Sequence, residues 1–332
     1  IFIIQPMEKR CAAIRCPFQT IPTCYTYHPM STLTVPPPQR IFDVVMDDGA
    51  VIRVRRHGNP AGLRLILSHG NGLAINGYFP YWGLLLADYD VVVFDFRNSG
   101  ENPVHDGAHS YDRFLKDLTI IYDAIDSELG EKRQLGIFHS MSSRTNLKYA
   151  VDGNRRLDGM IVFDPPMVPA KGHRLYEKML SEEGVLWRWA EKRSDGFADP
   201  AEQVAQFKKS RMLSKWVEGA YELMAQSILR HDAQTDTWNL ACSGAREAAI
   251  YRQNAELNFW PQADEFPMPF LMIGSDPDCD IPSAPGYACR ALRDDCDWPY
   301  ECMPGTGHFM QIQEPEKCAA ITRRFAGEIG LI

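Results

Sequence analysis

The sequence predicts an α/β fold in which a mostly parallel sheet is flanked by helices. Three observations carry this prediction. Short apolar segments recur along the chain, and helical stretches separate several of them. A third is that glycine, proline and polar residues follow the ends of these segments, where functional loops of such folds lie. With 332 residues, 45% of them hydrophobic, the chain is long enough for one large core that carries an insertion.

The N-terminal region predicts a tail followed by a hairpin. Residues 1–38 are expected to lie outside the core, poorly ordered or peripheral, and the run Pro36-Pro37-Pro38 forms a stiff, extended linker. The segments Ile41–Met46 and Val51–Arg56 alternate in polarity around Asp47-Asp48-Gly49. This pattern is typical of two antiparallel strands joined by a tight turn.

The next strand is predicted to end in a loop that can hold an anion. The apolar segment Arg64–Ser68 runs into His69-Gly70-Asn71-Gly72. Small residues allow backbone N–H groups to approach a developing oxyanion closely, so the Asn71 N–H is a candidate donor. A plain glycine-rich turn is the alternative, and the position of the loop ahead of a serine turn favours the functional interpretation. A strand at Asp90–Phe94 and a helix around Tyr111–Glu128 follow.

The most informative run is Gly136-Ile137-Phe138-His139-Ser140-Met141-Ser142-Ser143, between a strand at Gln134–Phe138 and a helix that continues from Ser142. A serine at such a strand-to-helix turn is pushed out of the sheet, as in a nucleophile elbow, and the Met141 N–H becomes a second oxyanion donor. The elbow prefers Gly-x-Ser-x-Gly, but Phe138 and Ser142 occupy the two small positions here. Phe138 therefore needs extra room. An ordinary buried serine at a strand end is the alternative.

A histidine near the C-terminus supplies a base. His308 follows Pro304-Gly305-Thr306-Gly307 after a strand-like segment at Trp298–Met303, and a last helix begins at Pro315 and runs to about Phe325. A histidine at the tip of a glycine-flanked loop is poorly placed for core packing. The sequence therefore predicts that His308 takes a proton from Ser140.

Two places can supply the acid that orients this histidine. Asp164 ends the strand Gly159–Phe163, 24 residues after Ser140, and the prolines behind it fix its direction. Asp276 and Asp280 follow the strand Pro269–Ile273, and Asp280 lies 28 residues before His308. Crowded aspartates in such a loop are often turn formers. Asp164 is favoured, and the later aspartates stay open as alternatives.

In their order, these motifs resemble the α/β-hydrolase superfamily from Ile41 to Phe325, apart from the middle insertion. A closer resemblance, to a subgroup that includes the fungal peroxisomal acyl-CoA hydrolases of polyketide pathways, rests on His69–Gly72, Phe94–Asn98, His139–Ser142, Phe163–Pro166 and Gly305–Phe309. In that subgroup the acid follows the strand after the elbow, which supports Asp164. The resemblance implies an α/β-hydrolase core at residues 39–166 and 267–332. Between them, residues 167–266 have a helical character and several aromatic residues, and we interpret this segment as an inserted helical cap over the site.

The function that these residues and the resemblance imply is that of a serine hydrolase. It would cleave a carboxylic ester through an acyl-enzyme, with Ser140 as nucleophile, His308 as base and Asp164 as orienting acid. An acyl-CoA thioesterase is the close alternative, followed by a carbon–carbon bond hydrolase. A non-catalytic, ligand-binding member of the fold is a further alternative, because fold alone does not define function.

The composition limits the kinds of partner that the protein is expected to bind. The net charge is −8 and no basic cluster is visible, which argues against nucleic-acid binding, and no apolar run approaches the ~18 residues of a membrane span. The nine cysteines lack metal-type spacing and are expected to be reduced thiols. We expect a cytoplasmic protein without a clear targeting signal, metal or cofactor. It would act on a small acyl ester or thioester as a monomer or homodimer.

Overall fold

A computed structural model describes residues 33–154 and 156–332. The strands are β1 (Arg40–Val45), β2 (Val51–Gly58), β3 (Arg64–Ser68), β4 (Asp90–Phe94), β5 (Gln134–His139), β6 (Gly159–Phe163), β7 (Gly196–Phe197), β8 (Leu229–Asp232), β9 (Thr237–Leu240), β10 (Phe270–Ser275) and β11 (Tyr300–Met303). The helices are α1 (Phe79–Trp82), α2 (Tyr111–Leu129), α3 (Met141–Val151), α4 (Tyr176–Lys192), α5 (Pro200–Lys209), α6 (Ala220–Ile228), α7 (Gly244–Glu256), α8 (Ala284–Cys296), α9 (Met310–Gln313) and α10 (Pro315–Glu328).

The main sheet has the strand order β1-β2-β4-β3-β5-β6-β10-β11. The pairs from β4 to β11 are parallel, whereas β2 is antiparallel to both β1 and β4. From β3 the chain first adds β4 on one side and then β5 on the other. In parallel sheets, the crevice at such a reversal of strand order is where ligands bind. The loops after β3 and β5 meet there.

Helices cover both faces of this sheet. One apolar core combines alternate strand residues such as Ile66 and Val162 with side chains of α2, α3 and α8. The other combines the intervening strand residues, such as Leu67 and Ile161, with side chains of α1, α9 and α10. A parallel sheet buried on both faces needs apolar residues on both sides of its strands, which explains the continuous apolar segments of the sequence. The predicted fold class is confirmed.

Most predicted elements differ from the observed ones only at their ends. The predicted hairpin is confirmed: β1 pairs with β2 in the register Val45↔Val51, and Gly49 takes a left-handed φ of 85° in the turn. The last strand begins at Tyr300 rather than Trp298. Trp298 instead packs in the core, and its indole N–H donates to the Pro261 carbonyl over 2.9 Å.

The tail prediction falls largely outside the described residues, because the structure describes the chain from Leu33. Over residues 33–38 the chain has no regular secondary structure, yet Leu33 and Val35 pack against the second core. Cys11, Cys16 and Cys24 likewise lie outside the described residues, and the cysteines that are described are all unpaired. Within residues 33–154 and 156–332, no helix has both the length and the apolar composition needed to cross a bilayer.

Residues 167–266, the predicted insertion, contain helices α4 to α7 and also a small sheet. Strands β7, β9 and β8 form this sheet in that order, with antiparallel pairing. Strands of two to four residues are too short to show a period of two, so the sequence pattern indicated only helices here. Arg230 of β8 ties this sheet to the main fold by donating to the Gly100 carbonyl over 3.0 Å.

Phe138 occupies a position where the elbow pattern prefers glycine. The space for its ring comes from Gly136 of the same strand, which has no side chain. A Cβ on Gly136, two residues earlier on the same face of β5, would lie 2.5 Å from the Phe138 ring and 2.6 Å from Leu157. Phe138 is fully buried, so its ring has little freedom to move away. The missing side chain of Gly136 therefore compensates for the bulk of Phe138.

We predict that Gly136→Ala lowers the free energy of unfolding by about 1–3 kcal/mol, the usual cost of overpacking a core. The matched control is Gly327→Ala, in α10, where an added Cβ meets nothing within 4 Å and alanine improves helix propensity. Urea unfolding followed by circular dichroism measures both. An unchanged stability of Gly136→Ala would contradict this account of the elbow.

A second prediction concerns Glu183 of α4. Burial raises the pKa of this carboxyl from 4.5 to about 7, although Asn254 and Arg144 act in the opposite direction. Because the folded state holds the proton more tightly than the unfolded chain does, the unfolding free energy should decrease as the pH rises from about 4.5 to 7. Glu183→Gln removes this decrease. Relative to wild type, its stability should improve by about 2 kcal/mol between pH 5 and pH 8.

The control for this measurement is Glu182→Gln, at the neighbouring, exposed position of α4. Comparing each variant with wild type at the same pH cancels the other titrating groups. Equal pH dependence in the Glu182 and Glu183 variants would show that the buried carboxyl does not govern stability.

Candidate active site

Ser140 lies at a sharp turn between β5 and α3. Its φ of 54° and ψ of −118° are strained for a residue with a side chain. Its N–H donates to the Phe163 carbonyl of the neighbouring strand over 2.9 Å, which holds the turn against the sheet. Ser142 stands where the elbow pattern prefers glycine, and its hydroxyl donates to the His139 carbonyl over 2.9 Å and accepts from the His139 N–H. The Ser142 hydroxyl therefore stabilises the turn through hydrogen bonds to both backbone groups of His139.

The structure brings Ser140, His308 and Asp164 together. The distance from His308 Nε2 to Ser140 Oγ is 3.1 Å, and that from His308 Nδ1 to Asp164 Oδ2 is 2.8 Å. These three residues follow β5, β11 and β6, whose carboxyl ends lie at the same edge of the sheet. The resulting line of side chains has the geometry that moves a proton from a hydroxyl to an imidazole held by a carboxylate.

Asp164 is fully buried, and its carboxylate is satisfied on both oxygens. The Ser275 N–H donates to Oδ1 over 2.9 Å, and the hydroxyls of Ser275 and Ser283 each donate to Oδ2 over 2.9 Å. These donors offset the cost of taking a carboxylate out of water. Asp164 also has a left-handed φ of 48°, and its N–H donates to the Ile273 carbonyl of β10.

The alternative aspartates lie elsewhere. Asp276 accepts hydrogen bonds from the Gly305 N–H over 2.8 Å and from the Asp278 N–H over 2.9 Å, so its carboxylate supports the loop that carries His308. Asp280 is exposed, and its carboxylate has no hydrogen-bond or ion-pair partner among the residues that the structure describes. Of the candidate acids, only Asp164 contacts the imidazole.

The loop after β3 packs tightly against the serine turn. A Cβ on Gly70 would lie 3.2 Å from the Cβ of Ser140, so glycine permits this approach. The Asn71 side chain donates to the Glu247 carbonyl of α7 over 2.9 Å. The backbone N–H groups of Asn71 and Met141 have no acceptor within residues 33–154 and 156–332. Met141 directly follows Ser140 and Asn71 directly follows Gly70, so both donors belong to the two segments that meet at the serine.

Two neutral histidines support this site. His69 is buried, and burial lowers its pKa. Its Nε2 accepts from the Phe96 N–H over 3.1 Å, so Nδ1 carries the proton that is donated to the Gly70 carbonyl over 2.8 Å. Burial, with a smaller contribution from His308, lowers the pKa of His139 well below its ordinary value.

Sequence reasoning missed several residues around the site. Ser275 and Ser283 had no signal beyond their place next to a predicted strand, and Glu247 had none. His139 stands inside the elbow motif but had no assigned role. Tyr78 belongs to an aromatic run just past the predicted oxyanion loop, and from the sequence such a run suits the core or a pocket wall equally. The structure places Tyr78 in the core, where its hydroxyl lies 2.7 Å from His139 Nδ1.

Comparison with known proteins agrees with this geometry. Residues 65–321 match the model of the alpha/beta hydrolase family, and the chain belongs to that family. No curated protein matches the sequence. The family is one of hydrolases, and the fold and the clustered side chains described above are consistent with that class.

Solved structures share the fold at low sequence identity. E-2-(acetamidomethylene)succinate hydrolase is 18% identical, with a TM-score of 0.67 over 86% of this chain and 98% of that one. The thioesterase domain from the curacin biosynthetic pathway is 15% identical, with a TM-score of 0.63 over 85% and 99%. The esterase RhEst1 from Rhodococcus sp. ECU1013 is 16% identical, with a TM-score of 0.61 over 87% and 99%. These similarities establish the fold alone.

The contact between His308 and Asp164 predicts a measurable proton signal. A proton held between an imidazole nitrogen and a buried carboxylate is strongly deshielded, so proton NMR should show one resonance far downfield of the amides. Asp164→Asn should abolish or shift this resonance, whereas Asp280→Asn should retain it. If the resonance responds to Asp280→Asn and not to Asp164→Asn, the acid has been assigned wrongly.

Proposed function

We propose that this protein is a serine hydrolase that cleaves a carboxylic ester through an acyl-enzyme. The observation that carries the proposal is the continuous contact from Ser140 Oγ through His308 to the buried Asp164 carboxylate. A hydroxyl is a weak nucleophile at neutral pH and needs a base in contact with it. Each of the three side chains has a role in acyl transfer.

In the proposed first half-reaction, Ser140 Oγ attacks the ester carbonyl carbon while its proton passes to His308 Nε2. Asp164 keeps the imidazole in the Nδ1–H tautomer and stabilises its cation. The N–H groups of Asn71 and Met141 hold the oxyanion, and each such donor typically contributes about 3 kcal/mol. Collapse breaks the bond to the leaving oxygen, which takes the proton from Nε2 and departs as an alcohol.

In the proposed second half-reaction, a water molecule attacks the acyl-enzyme. His308 takes one proton from this water, the new carbon–oxygen bond forms, and the bond to Ser140 Oγ breaks as the serine recovers its proton. The products are a carboxylic acid and the free enzyme. A serine at the elbow argues against epoxide hydrolases and haloalkane dehalogenases, which need a carboxylate nucleophile there.

The inserted segment, residues 167–266, is proposed to act as a cap over this site. Its α7 contacts the oxyanion loop through Asn71, and Lys215 Nζ donates to the Gly305 carbonyl of the histidine loop over 3.1 Å. The Trp216 ring packs edge-on against Phe309, next to His308, with ring centroids 5.3 Å apart. Apolar side chains that roof a polar centre suit an acyl group.

A second candidate is an acyl-CoA thioesterase, and the position of the acid favours it. Asp164 follows β6, the strand after the elbow, as in the subgroup of acyl-CoA hydrolases that the sequence resembles. The same acyl-enzyme chemistry serves both substrates, because only the leaving atom changes from oxygen to sulfur. Rates on p-nitrophenyl esters and on acyl-CoA thioesters of matched chain length distinguish the two.

We predict that Ser140→Ala lowers the rate of p-nitrophenyl ester hydrolysis by at least about 10³-fold and abolishes labelling by a fluorophosphonate probe. Asp164→Asn should lose a comparable factor, because the imidazole then adopts the wrong tautomer. The control is Ser194→Ala, at an exposed serine of the inserted segment, which should behave as wild type. Thermal melting checks that every variant is folded.

Mass spectrometry of the probe-labelled protein locates the modified residue. Labelling at a serine other than Ser140, or a wild-type rate in Ser140→Ala, would overturn the assigned nucleophile.

A further inference from the structure

We propose that Tyr78 and His139 are positioning residues that hold the oxyanion loop and the histidine loop in place around Ser140. This inference rests on the proposed function, because it assigns these two residues a part in the same acyl transfer. Neither is hydrogen-bonded to a reacting atom, although the His139 ring packs against the His308 ring with centroids 4.6 Å apart. They act through the backbone groups to which they are hydrogen-bonded.

Three hydrogen bonds connect the loops. The Gly70 N–H donates to the Tyr78 hydroxyl oxygen over 3.2 Å, and the distance from that hydroxyl to His139 Nδ1 is 2.7 Å. At the other side of the ring, His139 Nε2 lies 2.8 Å from the His308 carbonyl oxygen. Tyr78 and His139 therefore link the loop after β3 to the loop after β11. His139 is also the residue that precedes Ser140, so both loops are connected to the serine turn.

The partners decide where each proton lies. A carbonyl oxygen can only accept, so His139 Nε2 carries a proton and donates it to His308. Because burial keeps this ring neutral, Nδ1 is a bare acceptor and takes the single proton of the Tyr78 hydroxyl. The oxygen of that hydroxyl is then free to accept from Gly70. For a neutral ring, no other arrangement satisfies all three contacts.

Removing the phenol hydroxyl should disturb both loops. Without it, the Gly70 N–H and His139 Nδ1 each lose a partner in a fully buried place. The Nε2–H tautomer of His139 then keeps only one of its two contacts, the one with the His308 carbonyl. Both the oxyanion loop and His308 would lose part of their fixed position relative to Ser140. A displacement of this kind lowers the rate of the chemical step more than it lowers substrate binding.

Tyr81 offers a matched control. It lies fully buried three residues further on, and among the described residues its hydroxyl has one hydrogen bond, to Thr322 Oγ1 of α10 over 2.7 Å. Tyr81→Phe thus removes a buried hydroxyl from the same part of the fold without touching a catalytic loop. A purely structural role for Tyr78 predicts the same kinetics for Tyr78→Phe and Tyr81→Phe.

The test measures kcat and KM with p-nitrophenyl acetate, and the rate of fluorophosphonate labelling at Ser140, in wild type and both variants. We expect Tyr78→Phe to lose about 10- to 100-fold in kcat and in labelling rate with KM within about twofold of wild type. Tyr81→Phe should keep wild-type kinetics, even if both variants melt at a lower temperature. Equal kinetics in the two variants would overturn the inference.

A second pair of variants tests the contact with the histidine loop. In His139→Gln the amide nitrogen can occupy the place of Nε2 and donate to the His308 carbonyl, whereas the shorter side chain in His139→Asn reaches only the place of Nδ1. We expect His139→Gln to retain at least about tenfold more kcat than His139→Asn. Equal or better activity of His139→Asn would contradict the proposed contact.

The same measurements separate this inference from the proposed function. If the probe does not label Ser140 in the wild-type protein, both fail together. If it labels wild type and Tyr78→Phe at the same rate, the serine hydrolase assignment stands and only the positioning role is lost.

Discussion

The line of contacts from Ser140 through His308 to Asp164 constrains much of the surrounding structure. Two of its members, Ser140 and Asp164, have positive φ angles, and such backbone conformations typically cost about 1–3 kcal/mol each. Each is held by its own N–H, which donates to the last apolar residue of the next strand: Ser140 to Phe163 and Asp164 to Ile273. The parallel sheet thereby stabilises two strained turns side by side and brings their side chains within reach of one imidazole.

The buried polar groups next to these three side chains have hydrogen-bond partners. Ser275 and Ser283 satisfy the carboxylate of Asp164, while His139 bridges the serine turn and the histidine loop. The inserted segment completes the arrangement, because the Glu247 carbonyl accepts from Asn71 in the loop after β3. Displacing any of these supports would leave a buried polar atom without a partner, which is more costly than the mean value of a hydrogen bond suggests. Such networks favour one geometry over nearby alternatives.

Much of the fold could be predicted because its signals are local. The hairpin depends on the alternation of its strands and on Gly49, and the helix that begins at Pro315 depends on a proline at its first position. The turn at Ser140 has a recognisable pattern because a strand, a serine and a helix follow one another directly. Boundaries shifted by one to three residues, and the short strands β7 to β9 escaped prediction, because pairing between strands rather than local periodicity determines them.

The sequence by itself therefore determined the α/β class, the order of the motifs and the candidate residues Ser140 and His308. The sequence favoured Asp164 but left Asp276 and Asp280 open, and the tertiary structure shows that of these only Asp164 reaches the imidazole. The tertiary structure also decided how Tyr78 and His139 connect the loops, and how Gly136 accommodates Phe138. For the contacts that His308 makes with Asp164 and with His139, the physical reason is the same. Hydrogen bonds between residues more than a hundred positions apart depend on how strands and loops pack, and no local pattern in the chain encodes that packing.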